Sequence, residues 1–188
     1  MGISLATGII WRIFWAEAEM RTFNPRSLLA AAALAALAAG PLRGSPEYPT
    51  MGPDIYDVHA DGSAQIAAAL ARATAEHKRV IVVFGANWCI WCRRLHNTLE
   101  TDPTVSKILN DRFVLVDVDV NRRNGAPRNA DAVARYGNPT EFGLPVLVVL
   151  DSNGSRLHTE DSGDLEEAHG HSPRKIADFL TLWQPAGH

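Results

Sequence analysis

Between residues 54 and 184 the apolar positions follow two periods in turn. Ser63 to His77 is Ala-rich with Ile66 and Leu70 at helical spacing, and Ser63 stands where an N-cap is wanted, so a helix is predicted. Val80-Ile81-Val82-Val83-Phe84 is an unbroken, mostly β-branched run stopping at Gly85, the pattern of a strand buried on both faces in a parallel sheet. After the short loop Ala86-Asn87-Trp88, residues 89–100 place Leu95 and Leu99 four apart on a second helix, and another short helix follows Pro103 with Val105, Ile108 and Leu109. Phe113 to Val120 alternates Val114, Val116, Val118 and Val120 with other residues and reads as a second strand. Asp131 to Tyr136 reads as a turn or two of helix. Pro145 to Leu150 is a third strand, and Asp151-Ser152-Asn153-Gly154 turns the chain into a short fourth strand at Arg156 to His158. Finally, Ser172-Pro173 opens a helix over 173–183 whose Ile176, Phe179, Leu180 and Trp183 form one stripe.

That order fixes a fold class. A strand-helix-strand crossover requires parallel pairing, while the hairpin at Asn153-Gly154 requires antiparallel pairing. The expectation is α/β, a mixed central β-sheet with helices on both faces, and chemistry at the carboxyl ends of the parallel strands.

Composition agrees with a chain that buries a core: 188 residues, 46% apolar and 21% charged. Eighteen Lys plus Arg against 21 Asp plus Glu give −3, which offers no positive field for phosphate backbones, so nucleic acid is not an expected partner. Ahead of the folded region, Met20-Arg21-Thr22-Phe23-Asn24-Pro25-Arg26 precedes an apolar stretch from Leu28 to Ala39 that ends at Gly40-Pro41. This is the three-part layout of a secretory signal peptide, and twelve residues at 1.5 Å span about 18 Å, too short for a bilayer core. Residues 1–40 are therefore expected to be an N-terminal extension and signal peptide with Met20 as the true start. Residues 41–53, with four prolines, form a linker, and residues 54–184 form the folded domain. The expected address is an exported one, the bacterial periplasm.

The two cysteines of the chain, Cys89 and Cys92, stand together in Trp88-Cys89-Ile90-Trp91-Cys92, between the first strand and a helix start. Two sulfurs are too few for a four-thiolate zinc site or a multi-bridge scaffold. A cysteine at a helix N-terminus faces unpaired N–H groups and the positive end of the dipole, which favour thiolate over thiol, and Cys92 lies one turn on, within reach of a disulfide. The reading is thiol–disulfide exchange: Cys89 attacks a partner disulfide and Cys92 resolves the mixed disulfide.

Residues from about 54 to 184 resemble the exported thioredoxin-like proteins. The resemblance rests on Phe84-Gly85-Ala86-Asn87-Trp88-Cys89-Ile90-Trp91-Cys92, on Val116-Asp117-Val118-Asp119, and on Gly143-Leu144-Pro145. It implies a thioredoxin-like fold, a cis peptide before Pro145, and a substrate groove lined by Leu144 and Pro145. Three departures stand out. Thioredoxins carry a buried aspartate where this chain has Val83, and no other acid is obvious in its place. A lysine usual on the neighbouring strand is replaced near Leu115. The dipeptide between the cysteines is Ile90-Trp91 rather than Gly-Pro, and that dipeptide tunes a redox poise spanning about −270 to −120 mV in this fold. Gly137 to Phe142 lengthens the approach to Pro145, a place to expect partner selectivity.

Trp88, Ile90 and Trp91 flank the pair and are expected to offer an apolar docking surface. His96 shares a helix face with both cysteines, so a metal-binding or metallochaperone module using Cys89, Cys92 and His96 is an alternative, beside a plain helical histidine. A non-catalytic thioredoxin-fold adaptor with a structural disulfide is another. Asp117 and Asp119 either tune Cys92 or are solvated loop-side acids. His158, His169 and His171, in or near the polar stretch 160–172, are expected on a solvated surface. The favoured reading is an oxidoreductase working on protein disulfides or dithiols in the reducing direction, with a membrane electron-transfer partner, no cofactor and no resident metal, as a monomer.

Overall fold

The structure is a computed structural model that describes residues 52–123 and 125–186, all within the unit Pro46–His188. The leader, the choice of Met20 as start and nearly all of the linker lie outside the described residues.

The observed elements are α1 (Gly62–Glu76), β1 (Arg79–Gly85), α2 (Ile90–Thr101), α3 (Pro103–Arg112), β2 (Phe113–Asp119), α4 (Ala130–Arg135), β3 (Val146–Leu150), β4 (Arg156–Asp161), β5 (Glu166–Glu167), β6 (Gly170–His171) and α5 (Pro173–Trp183). Short 3-10 turns cover Pro139–Phe142 and Ser162–Leu165. The main sheet runs β2-β1-β3-β4. β1 pairs in parallel with β2, Val83 opposite Asp117, and antiparallel with β3, Val83 opposite Leu147. β1 is thus buried as its composition demands, but as the centre of a mixed sheet with only β2 parallel to it.

Strand alternation divides the core in two. Val80, Val82 and Phe84 of β1 and Val146, Val148 and Leu150 of β3 face Ile66, Ala69 and Ala73 of α1 and Ala132 of α4. Ile81 and Val83 with Leu147 and Val149 face the other way, against Leu95 and Leu99 of α2, Val105 and Leu109 of α3, and Ile176, Phe179 and Leu180 of α5. Every strand position of β3 is filled on one face or the other, which is why its sequence shows no polar gap.

Helix ends differ from the sequence reading by their caps. Asp61, not Ser63, caps α1 by accepting from the Ala64 amide, while Ser63 donates its hydroxyl to Asp131. An aspartate two residues earlier offers a charged acceptor to the positive helix end and outcompetes the hydroxyl. Asp102 caps α3 through the Thr104 and Val105 amides, which lets Pro103 occupy the first turn with no donor to lose. Ser172 precedes Pro173 as expected, yet caps nothing with its side chain; its own amide donates to Leu165 O.

The stretch 160–172 is not a solvated loop. It forms the end of β4, a 3-10 turn and the β5–β6 ribbon, with Leu165 and His171 buried. Leu165 joins the α5 side of the core, and that apolar anchor draws an acidic, turn-rich segment inward.

Candidate functional site

β1 delivers the chain at Gly85 to the loop Ala86-Asn87-Trp88, and Cys89 is the N-cap of α2. Cys89 and Cys92 are joined as a disulfide, with Cα atoms 5.2 Å apart. The Cys92 amide donates to Cys89 Sγ at 3.1 Å, so an unpaired helix donor is aimed at that sulfur. Both cysteines are almost wholly buried, Cys89 5% and Cys92 1% exposed, so attack is confined to the rim around Cys89. On that rim the Leu144 carbonyl lies 3.5 Å from Cys89 Sγ, and the Leu144–Pro145 peptide is cis. The Ser162 hydroxyl donates to Pro145 O at 2.6 Å and ties this segment to the start of the 3-10 turn after β4.

The flanking residues expected to contact substrate lie around the pair. Ile90 is 45% exposed, and Trp88 and Trp91 are partly buried. Trp88 donates its indole N–H to Asn121 at 2.8 Å and carries the Arg123 guanidinium over its ring at 3.5 Å. Trp91 carries the Arg94 guanidinium over its ring, 4.5 Å from the centroid, and meets the His171 ring in a T-shaped contact at 5.8 Å. His96 turns to Glu100, 3.2 Å away, and among the described residues no group of three His, Cys, Asp or Glu is placed to hold a metal ion.

Two residues under the disulfide escaped the sequence reading. Tyr56 packs on Cys89 and Cys92 from the first residues of the folded domain, ahead of any predicted element. It is held there by Asn87, whose Oδ1 accepts from the Ile55 and Tyr56 amides at 2.8 and 2.9 Å and whose Nδ2 donates to Tyr56 O at 2.8 Å. The signal available was Asn87 itself, a polar residue in an otherwise apolar loop entry, whose side chain bonds the Ile55 and Tyr56 amides and the Tyr56 carbonyl. Gly85 is required by the same packing: a methyl group there would overlap Tyr56 Oη and stand 2.9 Å from Cys92 Sγ.

The acids of β2 are not solvated loop residues either. Asp119 is 1% exposed and pairs with Arg128 at 2.8 Å. Asp117 is partly buried on the same sheet face as Val83, and burial, with a smaller push from the Glu100 carboxylate, raises its pKa to about 7. Tyr56 is driven well above its ordinary value by burial first and by Asp117 and Asp119 next. An acid therefore does occupy the layer where Val83 replaces the thioredoxin aspartate, one strand over. His171 is also corrected: it is 5% exposed, and burial, with the Arg94 cation beside it, lowers its pKa to about 4.

With this geometry established, comparison with known proteins is specific. A family profile described as thioredoxin-like matches residues 61–152. A solved structure described as a disulphide isomerase from Xylella fastidiosa Temecula1 superposes with a TM-score of 0.60 at 33% identity, covering 73% of this chain and 98% of that one. The chain is also 31% identical over 84 residues to the thiol:disulfide interchange protein DsbD of Salmonella typhi and 33% identical over 97 residues to DsbD of Neisseria meningitidis serogroup A. Those matches cover 45% and 50% of this chain but only 14% and 15% of the two DsbD proteins.

Proposed function

The chain belongs to the thioredoxin-like family of thiol–disulfide oxidoreductases, and we propose that its Cys89–Cys92 pair reduces disulfides of protein partners in an exported compartment, the bacterial periplasm. The observation that carries the reading is the disulfide at the N-terminus of α2, with a backbone N–H aimed at Cys89 Sγ and the Leu144 carbonyl beside it.

In the reduced protein the Cys89 thiolate attacks one sulfur of a partner disulfide. A Cys89–partner bond forms, the partner's S–S bond breaks, and the departing partner sulfur takes a proton. Helix N–H groups and dipole stabilise the attacking thiolate. Cys92, once deprotonated, then attacks Cys89 Sγ, which closes the Cys89–Cys92 bond and releases the second partner sulfur as a thiol. Two electrons pass to the partner, and a dithiol donor must restore them. We assign that donor role to a membrane electron-transfer partner, because the Asn87-Trp88-Cys89 entry resembles family members fed in that way.

Leu144 and Pro145 form the wall along which an extended partner chain lies, with Trp88, Ile90 and Trp91 as the apolar rim. We assign uptake of the Cys92 proton to Asp117, a reading supported by its pKa of about 7, since such an acid exchanges protons at physiological pH. Export is supported by the basic start at Arg21 and Arg26 and the apolar stretch Leu28 to Ala39.

Insulin reduction by the purified domain with a dithiol donor, with Cys89→Ser as control, tests the reading. Turnover that disappears in Cys89→Ser is the expected result. A wild-type domain that gives no turnover, with a potential below about −300 mV, would make the disulfide a structural one.

A further inference from the structure

Beside the cysteine pair, the exchange chemistry leaves one built feature without a role. A groove of about 350 Å³ runs between α2 and the β5–β6 ribbon, lined by Ile90, Arg93, Arg94, Asn97 and His171 among others. Its volume is within the range of about 300–1,000 Å³ typical of sites that take a ligand. It shares no residue with the Leu144–Pro145 wall, and it starts at Ile90, directly after Cys89.

Its chemistry is one-sided. The lining carries two guanidinium groups and no carboxylate. Arg93 is committed to the Asn87 and Pro53 carbonyls at 2.9 and 2.8 Å. Arg94 is held by the face of Trp91, and among the described residues no carboxylate pairs with it. Stacking fixes the plane of a guanidinium while leaving its N–H edge to bind a carboxylate in bidentate fashion. His171 adds a second, independent observation. It is buried, it lines the groove, and neither ring nitrogen has a hydrogen-bond partner among the described residues. Buried polar groups in folded proteins are almost always paired, so an imidazole with both nitrogens unspent calls for an outside partner. Its depressed pKa keeps it neutral, with one nitrogen donating and one accepting, which matches the C=O and N–H of a peptide backbone.

We propose that this groove is a recognition subsite for an acidic stretch of the partner polypeptide, with a partner carboxylate on the Arg94 guanidinium and a partner backbone amide on His171. The assignment rests on Cys89–Cys92 being the exchange centre, since that centre brings the partner chain to Ile90. It makes the acidic residues next to the partner's reactive cysteine the determinant of selectivity.

The test uses two short peptides that carry serine in place of the reactive cysteine, one flanked by glutamates and one by glutamines at the same positions. Each is titrated against the oxidised protein by fluorescence anisotropy. The glutamate peptide is expected to bind about fivefold more tightly, the scale of a partly exposed ion pair, with an advantage that shrinks as salt is raised. Arg94→Gln should bring the two affinities together, and His171→Phe should weaken both peptides alike. Equal binding by the wild type, or a glutamate preference that survives Arg94→Gln, overturns the proposal. Serine peptides exchange nothing, so this result stands apart from the redox reading. Failure of the wild type to reduce a small uncharged disulfide would instead overturn the exchange centre itself.

Discussion

Asp117, on β2 opposite Val83, gives the sharpest stability prediction. Its carboxyl titrates at about 7 in the fold against an ordinary value of 3.8. Between those values the folded chain holds a proton that the unfolded chain has lost, so stability falls as pH rises through the window. A gap of about three pH units at about 1.36 kcal/mol each sets a ceiling on the order of 4 kcal/mol, reached above pH 7. Partial exposure and relaxation of the site reduce it, and about 2 kcal/mol is a realistic expectation. Asp117→Asn keeps the shape and removes the titration. Urea unfolding of both proteins with the disulfide intact, from pH 4 to 8, should show the variant gaining on the wild type as pH rises, with the difference levelling off above pH 7.5. A difference curve that is flat across the range, or that falls with pH, would refute the assignment of a neutral, burial-raised acid beside Val83.

His171 acts in the opposite direction. The unfolded chain takes up a proton near pH 6.5 that the fold refuses until about 4, so its contribution is present above 6.5 and lost as pH falls towards 4, with a ceiling of about 3 kcal/mol. The acid limb of the wild-type stability curve should therefore flatten in His171→Phe, and an unchanged limb would count against it. Gly85→Ala forces a methyl group onto Tyr56 and Cys92 and should cost about 1–3 kcal/mol in thermal or urea unfolding. An unaltered midpoint would mean that Tyr56 does not occupy that space. Asn87→Ala leaves two amides and a carbonyl without their partner and should cost about 2–4 kcal/mol, with faster amide exchange at Ile55 and Tyr56 as the local signature.

Period and punctuation made most of the fold legible. The apolar runs at Val80–Phe84 and Val146–Leu150, the turn at Asp151–Gly154 and the stripe Ile176–Trp183 each report a local preference that the packed molecule keeps. The cysteine pair was legible for the same reason, because a strand stop at Gly85 and a helix start at Ile90 set Cys89 at the junction and Cys92 in the first turn. What was not legible depends on contacts distant in sequence. Tyr56 reaches the cysteines only because Asn87, 31 residues on, pins its backbone. Asp117 is an ordinary polar position in an alternating strand until the fold buries it beside β1. The buried state of His171 depends on Leu165 anchoring the ribbon and on Trp91 packing in a T-shaped contact with the ring, and the local sequence 160–172, acidic and glycine-bearing, pointed to solvent.

The central claim is that Cys89 attacks and Cys92 resolves. Intact-mass analysis of reduced Cys92→Ala, mixed with an excess of a disulfide-bonded peptide, tests it directly. The account predicts a one-to-one mixed disulfide mapped to Cys89 by peptide digestion, with no adduct on Cys89→Ala under the same conditions. An adduct that forms equally well on Cys92 when Cys89 is absent, or none on Cys92→Ala, would contradict it.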